Sequence, residues 1–489
     1  MKAVALNKLR AKSALVLLNS VFLTDVFRGA ALEIAIKRLY TNLVKKNPDG
    51  HPYKVQEDKF YVLRNLFYSV DKALRQELIS PSVRRALLKI FVENVILGEK
   101  DRRTPFIKQY GVEPPAFVTI SPGKRCNLRC VGCYASSSSQ NAEKLDYDVV
   151  SRIVRETREK WGSHFTVISG GEPLMWRSRG KDIIDLAAEH QQTYFMMYTN
   201  STLINIHTAR RLAEVGNITP AISVEGLEKE TDTRRGKGVF RQILKAMANL
   251  REFGIPFGIS VTATRHNAEL LMSDEFMDFF FDAQGAIYGW IFQYMPIGRH
   301  FTLDLMITPE QRLAMYEREQ YLIREKKRFL VDFWNGGPVS NGCISAGRSG
   351  GYYYIDWNGN ISPCVFFPYS KVNINRIFRH GGDINTALTT PYFQSIQKWQ
   401  KAYSYNKLAT ETGNQIVPCP IRDHHEMARK IIAEHRASPL DPAAAEALKD
   451  HDYYHGMIDY GKRVDKLTNE IWEQEYIGPE REKTDIQLA

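Results

Sequence analysis

Ser121-Pro-Gly-Lys-Arg-Cys126-Asn-Leu-Arg-Cys130-Val-Gly-Cys133-Tyr134 sets three cysteines within eight residues, directly after a β-type apolar run, Phe117–Ser121. Three thiolates so close together can wrap one face of an iron–sulfur cube, which normally takes four protein sulfurs, so one iron would stay open. Structural zinc is the bland alternative, but zinc asks for four ligands, usually as two CxxC-like pairs, and no fourth lies nearby. The other cysteines, Cys343, Cys364 and Cys419, are dispersed. Six cysteines in 489 residues are too few for a disulfide scaffold and read as metal binding in a reducing compartment.

Outward from this segment, short β-rich runs alternate with amphipathic helical stretches. The predicted strands are Phe117–Ser121, Phe165–Ser169, Tyr194–Thr199, Thr219–Val224, Phe257–Thr262 and Ile287–Tyr294. Helical patterns at Asp146–Lys160, Lys181–His190, Ile206–Val215, Val239–Phe253 and Asp274–Asp282 lie between them. Parallel neighbours need crossover connections, so the alternation implies an α/β fold with a parallel sheet and helices outside. In such sheets the loops at the carboxyl ends of the strands build the site. Four regions follow: a basic helical module (1–112), the α/β unit (113–333), a Gly- and Tyr-rich region (334–425) and a charged helical tail (426–489). A helix is expected from Ser80 as N-cap to Gly98, a β-hairpin turning at Asn358-Gly359, and a further helix opening at Asp441-Pro442.

The loops after the strands carry more than cysteines. Ser169-Gly170-Gly171-Glu172-Pro173 follows the second strand, Thr199-Asn200-Ser201 the third, Ser223 and then Arg235-Gly236 the fourth, and Met295-Pro-Ile-Gly298-Arg299 the sixth. Glycines permit close backbone approach, and an ionised Glu172 is an acceptor-only partner for an ammonium. In their order, these segments and the Cys-x3-Cys-x2-Cys spacing resemble the radical S-adenosylmethionine (SAM) superfamily over residues 115–300. The resemblance implies a partial (β/α)6 barrel in which Cys126, Cys130 and Cys133 hold a 4Fe–4S cluster and SAM chelates the open iron. It further implies Tyr134, Gly170, Gly171, Glu172, Ser223, Arg235 and Gly298 as cofactor-binding residues. Ser201 departs from the family's usual Thr-Asn-Gly. No general base is named, because the family's chemistry belongs to the cofactor.

Cys343, Cys364, Asn373-Ile374 and Pro418-Cys419-Pro420 resemble the family's SPASM or twitch extensions, which bind auxiliary clusters. With three cysteines here, one second 4Fe–4S cluster is expected, its fourth ligand coming from Asp423, His424 or His425 or staying open. The alternative is that these are ordinary buried cysteines. Tyr352, Tyr353, Tyr354 and Trp357 read as hairpin packing.

Residues 1–115 hold 21 basic against 11 acidic side chains and so carry nearly all of the net charge of +11. Such a segment suits an anionic surface, or is a solvated face needing no partner. Met1–Thr24 imitates a signal peptide, but no cleavage pattern follows and Asp25 and Arg28 interrupt it, so a cytoplasmic protein is expected, peripheral at the inner membrane surface through residues 1–98. The charge-free run Ser13–Thr24 is shorter than the ~20 residues that span a bilayer. The resemblance implies reductive cleavage of SAM and hydrogen abstraction from an unactivated C–H. A flavodoxin or ferredoxin would be the electron donor and a peptide or protein, or a membrane lipid, the substrate. A non-catalytic iron–sulfur or SAM-binding regulator and an RNA-modifying enzyme are the alternatives; no RNP1 or GXXG element supports nucleic acid.

Overall fold

The computed structural model describes residues 25–48, 50–90, 99–405 and 407–481. The signal-like Met1–Thr24 and residues 91–98, the end of the helix expected from Ser80 to Gly98, lie outside them. All six expected strands form: β1 (Phe117–Ile120), β2 (Phe165–Ile168), β3 (Tyr194–Thr199), β4 (Ile218–Val224), β5 (Gly258–Ala263) and β6 (Gly289–Gln293). They pair in sequence order, all parallel, and β7 (Leu330–Asp332) extends them beside β6. On the other side β8 (Tyr352–Ile355) pairs parallel with β1, followed by antiparallel β9 (Asn360–Ser362) and β10 (Val372–Asn373). The order is β10-β9-β8-β1-β2-β3-β4-β5-β6-β7.

The helices that return the chain include Tyr147–Trp161, Ile183–Glu189, Ile206–Val215, Val239–Glu252, Asp274–Asp278 and Pro309–Arg324. Alternation along the strands decides what they cover. Val118, Ile120, Met197, Ile222, Val224, Ile259 and Val261 join the large core under the helices. Val167, Met196, Ala221 and Tyr288 form a separate inner cluster with Phe117, Phe165, Tyr198 and Trp290. The sheet therefore curls, and its two parallel edges, β7 and β8, approach without pairing. Phe333, just past β7, meets Tyr352 of β8 edge to face with centroids 6.4 Å apart. Rings rather than backbone hydrogen bonds line this seam.

The expected caps form. Ser80 accepts from the Val83 amide at 3.4 Å and Asp441 from the Ala444 amide at 2.8 Å. The β8–β9 hairpin turns at Asn358-Gly359, with Asp356 accepting from the amides of Asn358 and Asn360. The N-terminal helix Tyr53–Arg75 is a packing element: its Asp58 pairs with Arg324 at 2.5 Å and accepts from Tyr476 Oη at 2.6 Å, while Asn65 Nδ2 donates to the Ile323 carbonyl. Among the described residues no helix is long and apolar enough to cross a membrane.

Candidate active site

The cysteine loop leaves β1 and is held by backbone from the neighbouring strand ends. Gly171 and Glu172 amides donate to the Gly123 and Arg125 carbonyls, the Cys126 amide to the Ser138 carbonyl, and the Arg299 amide to the Cys133 carbonyl at 3.0 Å. Arg299 Nη1 also donates to the Cys130 carbonyl at 2.8 Å. Two glycines expected to touch cofactor have a structural task here. A Cβ at Gly171 would stand 2.3 Å from the Lys124 and Arg125 oxygens, and one at Gly298 2.3 Å from the Tyr134 oxygen. Neither position accommodates a side chain without moving the loop.

The Cys126, Cys130 and Cys133 thiols are free and electrostatically coupled. Burial pushes Cys126 up to about 12 and raises Cys130. Donors already surround the sulfurs: the Leu128 amide lies 3.4 Å and Asn200 Nδ2 3.7 Å from Cys126 Sγ, and Arg235 Nη1 lies 4.0 Å from Cys130 Sγ. Among the described residues no three His, Cys, Asp or Glu side chains converge tightly enough for one metal ion. A cube asks for wider spacing, because each thiolate binds a different iron.

Glu172 is 1% exposed and ties the strand ends together. Its Oε1 accepts from Thr199 Oγ1 at 2.7 Å and the Leu174 amide at 3.2 Å, its Oε2 from the Asn200 amide at 2.8 Å. Burial raises its carboxyl, and these donors oppose the rise. A carboxylate offers about four lone-pair directions, so capacity for an ammonium remains. Ser201 sits at φ 61°, the left-handed region, which accounts for glycine being usual there and costs a serine roughly 1–2 kcal/mol. Arg235, expected to meet the SAM carboxylate, pairs with Glu225, as Arg234 does at 2.5 Å. Glu225 Oε2 and Arg235 Nε stay buried without a partner, an unmet acceptor and donor beside Cys130. Ser223 is half-buried at the end of β4. Thr199, Asn200, Glu225 and Arg299 lie inside the segments read from sequence but were given no role there.

Tyr134 is tied to the strand ends: its hydroxyl shares a hydrogen bond with Ser169 Oγ at 2.7 Å and its ring meets Phe366, centroids 6.2 Å apart. Phe366, which no motif marks, is the hub of an aromatic wall with Phe292, Phe333 and Trp334 at 5.7, 5.4 and 4.9 Å. Tyr198, Trp290, Phe292, Val331 and Phe333 point inward yet stay partly accessible, so the lumen is not filled by its own walls. No inward position of β1–β8 is charged.

The second trio assembles from three separate stretches. Cys343 follows β7, Cys364 follows β9, and Cys419 lies beyond helix Pro391–Gln400. Burial raises Cys364 to about 12, with Cys343 adding to the rise; Cys419 is raised well above the ordinary range by burial, then by Asp423, Cys343 and Cys364. The Phe366 amide donates to Cys364 Sγ at 3.3 Å. Nearby, Trp334 Nε1 and Arg422 Nε are buried and unpartnered, the guanidinium 4.9 Å from the indole centroid. Three thiols brought together from separate stretches are a donor set that an iron–sulfur centre could use.

The three expected fourth ligands fare poorly. Asp423 is bound by Arg312 at 2.6 and 3.2 Å and by the Cys419 amide at 3.1 Å. His424 bonds the Val417 carbonyl and lies against Trp399 and Tyr403. His425 bonds the Ile421 carbonyl and packs on Tyr453 and Tyr454. Adjacency to Cys419 suggested them, and partners distant in sequence occupy them.

The profile of the Radical SAM superfamily matches residues 120–271. The chain is 31% identical over 279 residues to AdoMet-dependent heme synthase of Methanosarcina barkeri, covering 51% of this chain and 76% of that protein. It is 30% identical over 174 residues to Fe-coproporphyrin III synthase of the same organism, covering 35% of this chain and 43% of that one. The chain spans about half the length of the first curated relatives it matches. Among solved structures, Streptococcus suis SuiB bound to precursor peptide SuiA has 18% identity, a TM-score of 0.51 and coverage of 65% of this chain and 76% of that one, a likeness of fold.

Proposed function

This chain belongs to the radical SAM superfamily, and from that premise we propose that it abstracts a hydrogen atom from an unactivated C–H on the alkyl chain of a membrane lipid. Cys126, Cys130 and Cys133 would hold the SAM-binding 4Fe–4S cluster, and Cys343, Cys364 and Cys419 an auxiliary one. When bound and reduced, the cluster and SAM supply a 5′-deoxyadenosyl radical. The chain's own residues then bind, orient and exclude water.

Glu172 offers its remaining lone pair to the methionine ammonium, Glu225 and Arg235 their unmet groups to the rest of SAM, and Tyr134, fixed by Ser169, an aromatic face beside the last cysteine. The observation that carries the substrate class is the uncharged, aromatic lumen. Each methylene buried there gains about 0.8 kcal/mol. A peptide would bring a backbone donor and acceptor per residue, which the wall answers through only a handful of hydroxyls, those of Ser223, Ser260, Thr262 and Tyr198, and the Trp290 indole. The basic N-terminal segment supports docking on anionic lipid.

A second reading, a tetrapyrrole substrate, is favoured by the identity with the M. barkeri AdoMet-dependent heme synthase. Carboxylates on such a ring would need cations that the inner wall lacks. The test is anaerobic incubation of reconstituted protein with SAM, dithionite and anionic vesicles carrying perdeuterated acyl chains. Deuterium in 5′-deoxyadenosine is expected. Its absence, with 5′-deoxyadenosine stimulated instead by an iron porphyrin or a peptide, would overturn the lipid reading.

A further inference from the structure

On the lipid reading above, on which this step rests, we propose that one helix face of the N-terminal module is the surface that docks this chain on an anionic bilayer. The face belongs to helix Asp25–Tyr40 and to the π-helical turn Thr41–Lys45 that continues it. Inward, Ile36 and Val44 are buried with Phe60 of helix Tyr53–Arg75, and Leu32, Leu39 and Leu43 pack against them. The Tyr40 ring meets Phe60 edge to face, centroids 5.1 Å apart. On the opposite side Ile34, Lys37, Arg38, Thr41 and Lys45 recur at helical spacing, and all five are exposed.

The cations of this face are unspent. Arg28, on the inner side, pairs with Asp71 at 2.8 Å, and Lys46 Nζ donates to Asn42 Oδ1 at 2.9 Å. Among the described residues Lys37, Arg38, Lys45 and Lys46 meet no carboxylate. From Arg28 to Lys46 there are five cations and one acid, Glu33. In sequence, Lys2, Lys8, Arg10 and Lys12, with no acid before Asp25, lead into the same helix.

Apolar exposure selects the partner. Cations in a last turn complement the helix dipole, but the dipole does not account for Ile34, which is 53% exposed in their midst. Leu63 and Phe67, one turn apart on the next helix, are each 39% exposed. Three of the eight large apolar side chains left exposed among the described residues thus belong to this one helix pair. An interfacial helix presents such a mixture to a membrane, cations to the headgroups and apolar tips to the acyl boundary. A nucleic acid has phosphates for the lysines and no use for the isoleucine.

The test is co-sedimentation of reconstituted full-length protein, without SAM or reductant, with vesicles of phosphatidylcholine alone or mixed with phosphatidylglycerol. Wild type should bind the anionic vesicles only, and less as salt rises. Each cation near an anionic surface is worth about fivefold in partitioning, so K37Q/R38Q should bind about twenty-five-fold more weakly and with a shallower salt dependence. I34N should lose about tenfold with its salt dependence kept. I34L should match wild type, as should K245Q, which alters an exposed lysine of the barrel helix Val239–Glu252. No preference for anionic vesicles, or K37Q/R38Q and I34N indistinguishable from K245Q, would overturn the surface. Displacement of the vesicles by duplex DNA, with I34N binding as wild type does, would assign the cations to nucleic acid and overturn it as well. Vesicle binding without deuterium in 5′-deoxyadenosine would refute the lipid substrate and leave the docking surface standing.

Discussion

Replacing Arg312 with Met removes the guanidinium paired with Asp423 and leaves a carboxylate with 0% exposed side chain beside Cys419. Arg312 contacts Asp423 at 2.6 and 3.2 Å, the Ile416 carbonyl at 2.7 Å and Asn335 Oδ1 at 3.1 Å, so four acceptor positions lose donors at once. Breaking a buried pair from one side costs about 3–5 kcal/mol, because a charge is stranded, whereas neutralising both sides is often nearly free. R312M should therefore be destabilised by about 3–5 kcal/mol and R312M/D423N by much less, a coupling well above the few tenths expected of independent sites.

The pH dependence has a defined sign. Burial pushes the Asp423 carboxyl up, but Arg312 overrides it and holds the group below its ordinary value. The pair's contribution is fully present above the unfolded carboxyl value of about 3.9 and is lost as pH falls through the lower folded value. In R312M burial is opposed only by the weaker pull of Arg422 and His424 and by the Cys419 amide, so the carboxyl rises from its wild-type position and the variant recovers as acid neutralises it. The gap between wild type and R312M should be widest near neutral pH and close towards pH 4. Urea midpoints from far-ultraviolet circular dichroism on reconstituted protein at a series of pH values provide the measurement. A coupling under about 1 kcal/mol, or a gap independent of pH, would refute the stranded-charge argument.

C130A should abolish 5′-deoxyadenosine formation and lose about four irons per chain, and unchanged turnover would sink the first trio as the SAM site. G298A should force the Arg299 clamp off the Cys133–Tyr134 backbone, since its Cβ would lie 2.3 and 2.5 Å from two carbonyl oxygens; iron loading at the first trio should fall, at a stability cost of about 1–3 kcal/mol. R235M removes a cation 4.0 Å from Cys130 Sγ while Arg234 still pairs with Glu225, so the first cluster's midpoint potential should move negative by tens of millivolts in a spectroelectrochemical titration. A potential that stays put would mean Arg235 acts on SAM or Glu225 alone.

The strands were legible because each pairs an apolar run with a loop of distinctive composition, and Cys126, Cys130 and Cys133 because they are local to one loop. β7 is only Leu330–Asp332, too short to show a period, and the parallel pairing of β8 with β1 joins residues more than two hundred apart. Asp423 stood out because it neighbours Cys419; Arg312, which occupies it, lies 111 residues away. Arg235 was read towards SAM, while its Glu225 partner ten residues upstream passed unremarked.

The ring-lined seam between β7 and β8 gives the cylinder an uneven mechanical compliance. Hydrogen-bonded strands are held about 4.8 Å apart and cannot separate without losing a row of directional bonds. Rings such as Phe333 and Tyr352, 6.4 Å apart, can slide for the loss of a few weak dispersion contacts. Widening to admit a bulky guest is thereby confined to one longitudinal side. The hydrogen-bonded run from β8 through β1 and round to β7, which carries the cysteine loop and the Glu172 ties between β2 and β3, keeps its dimensions while the seam gives.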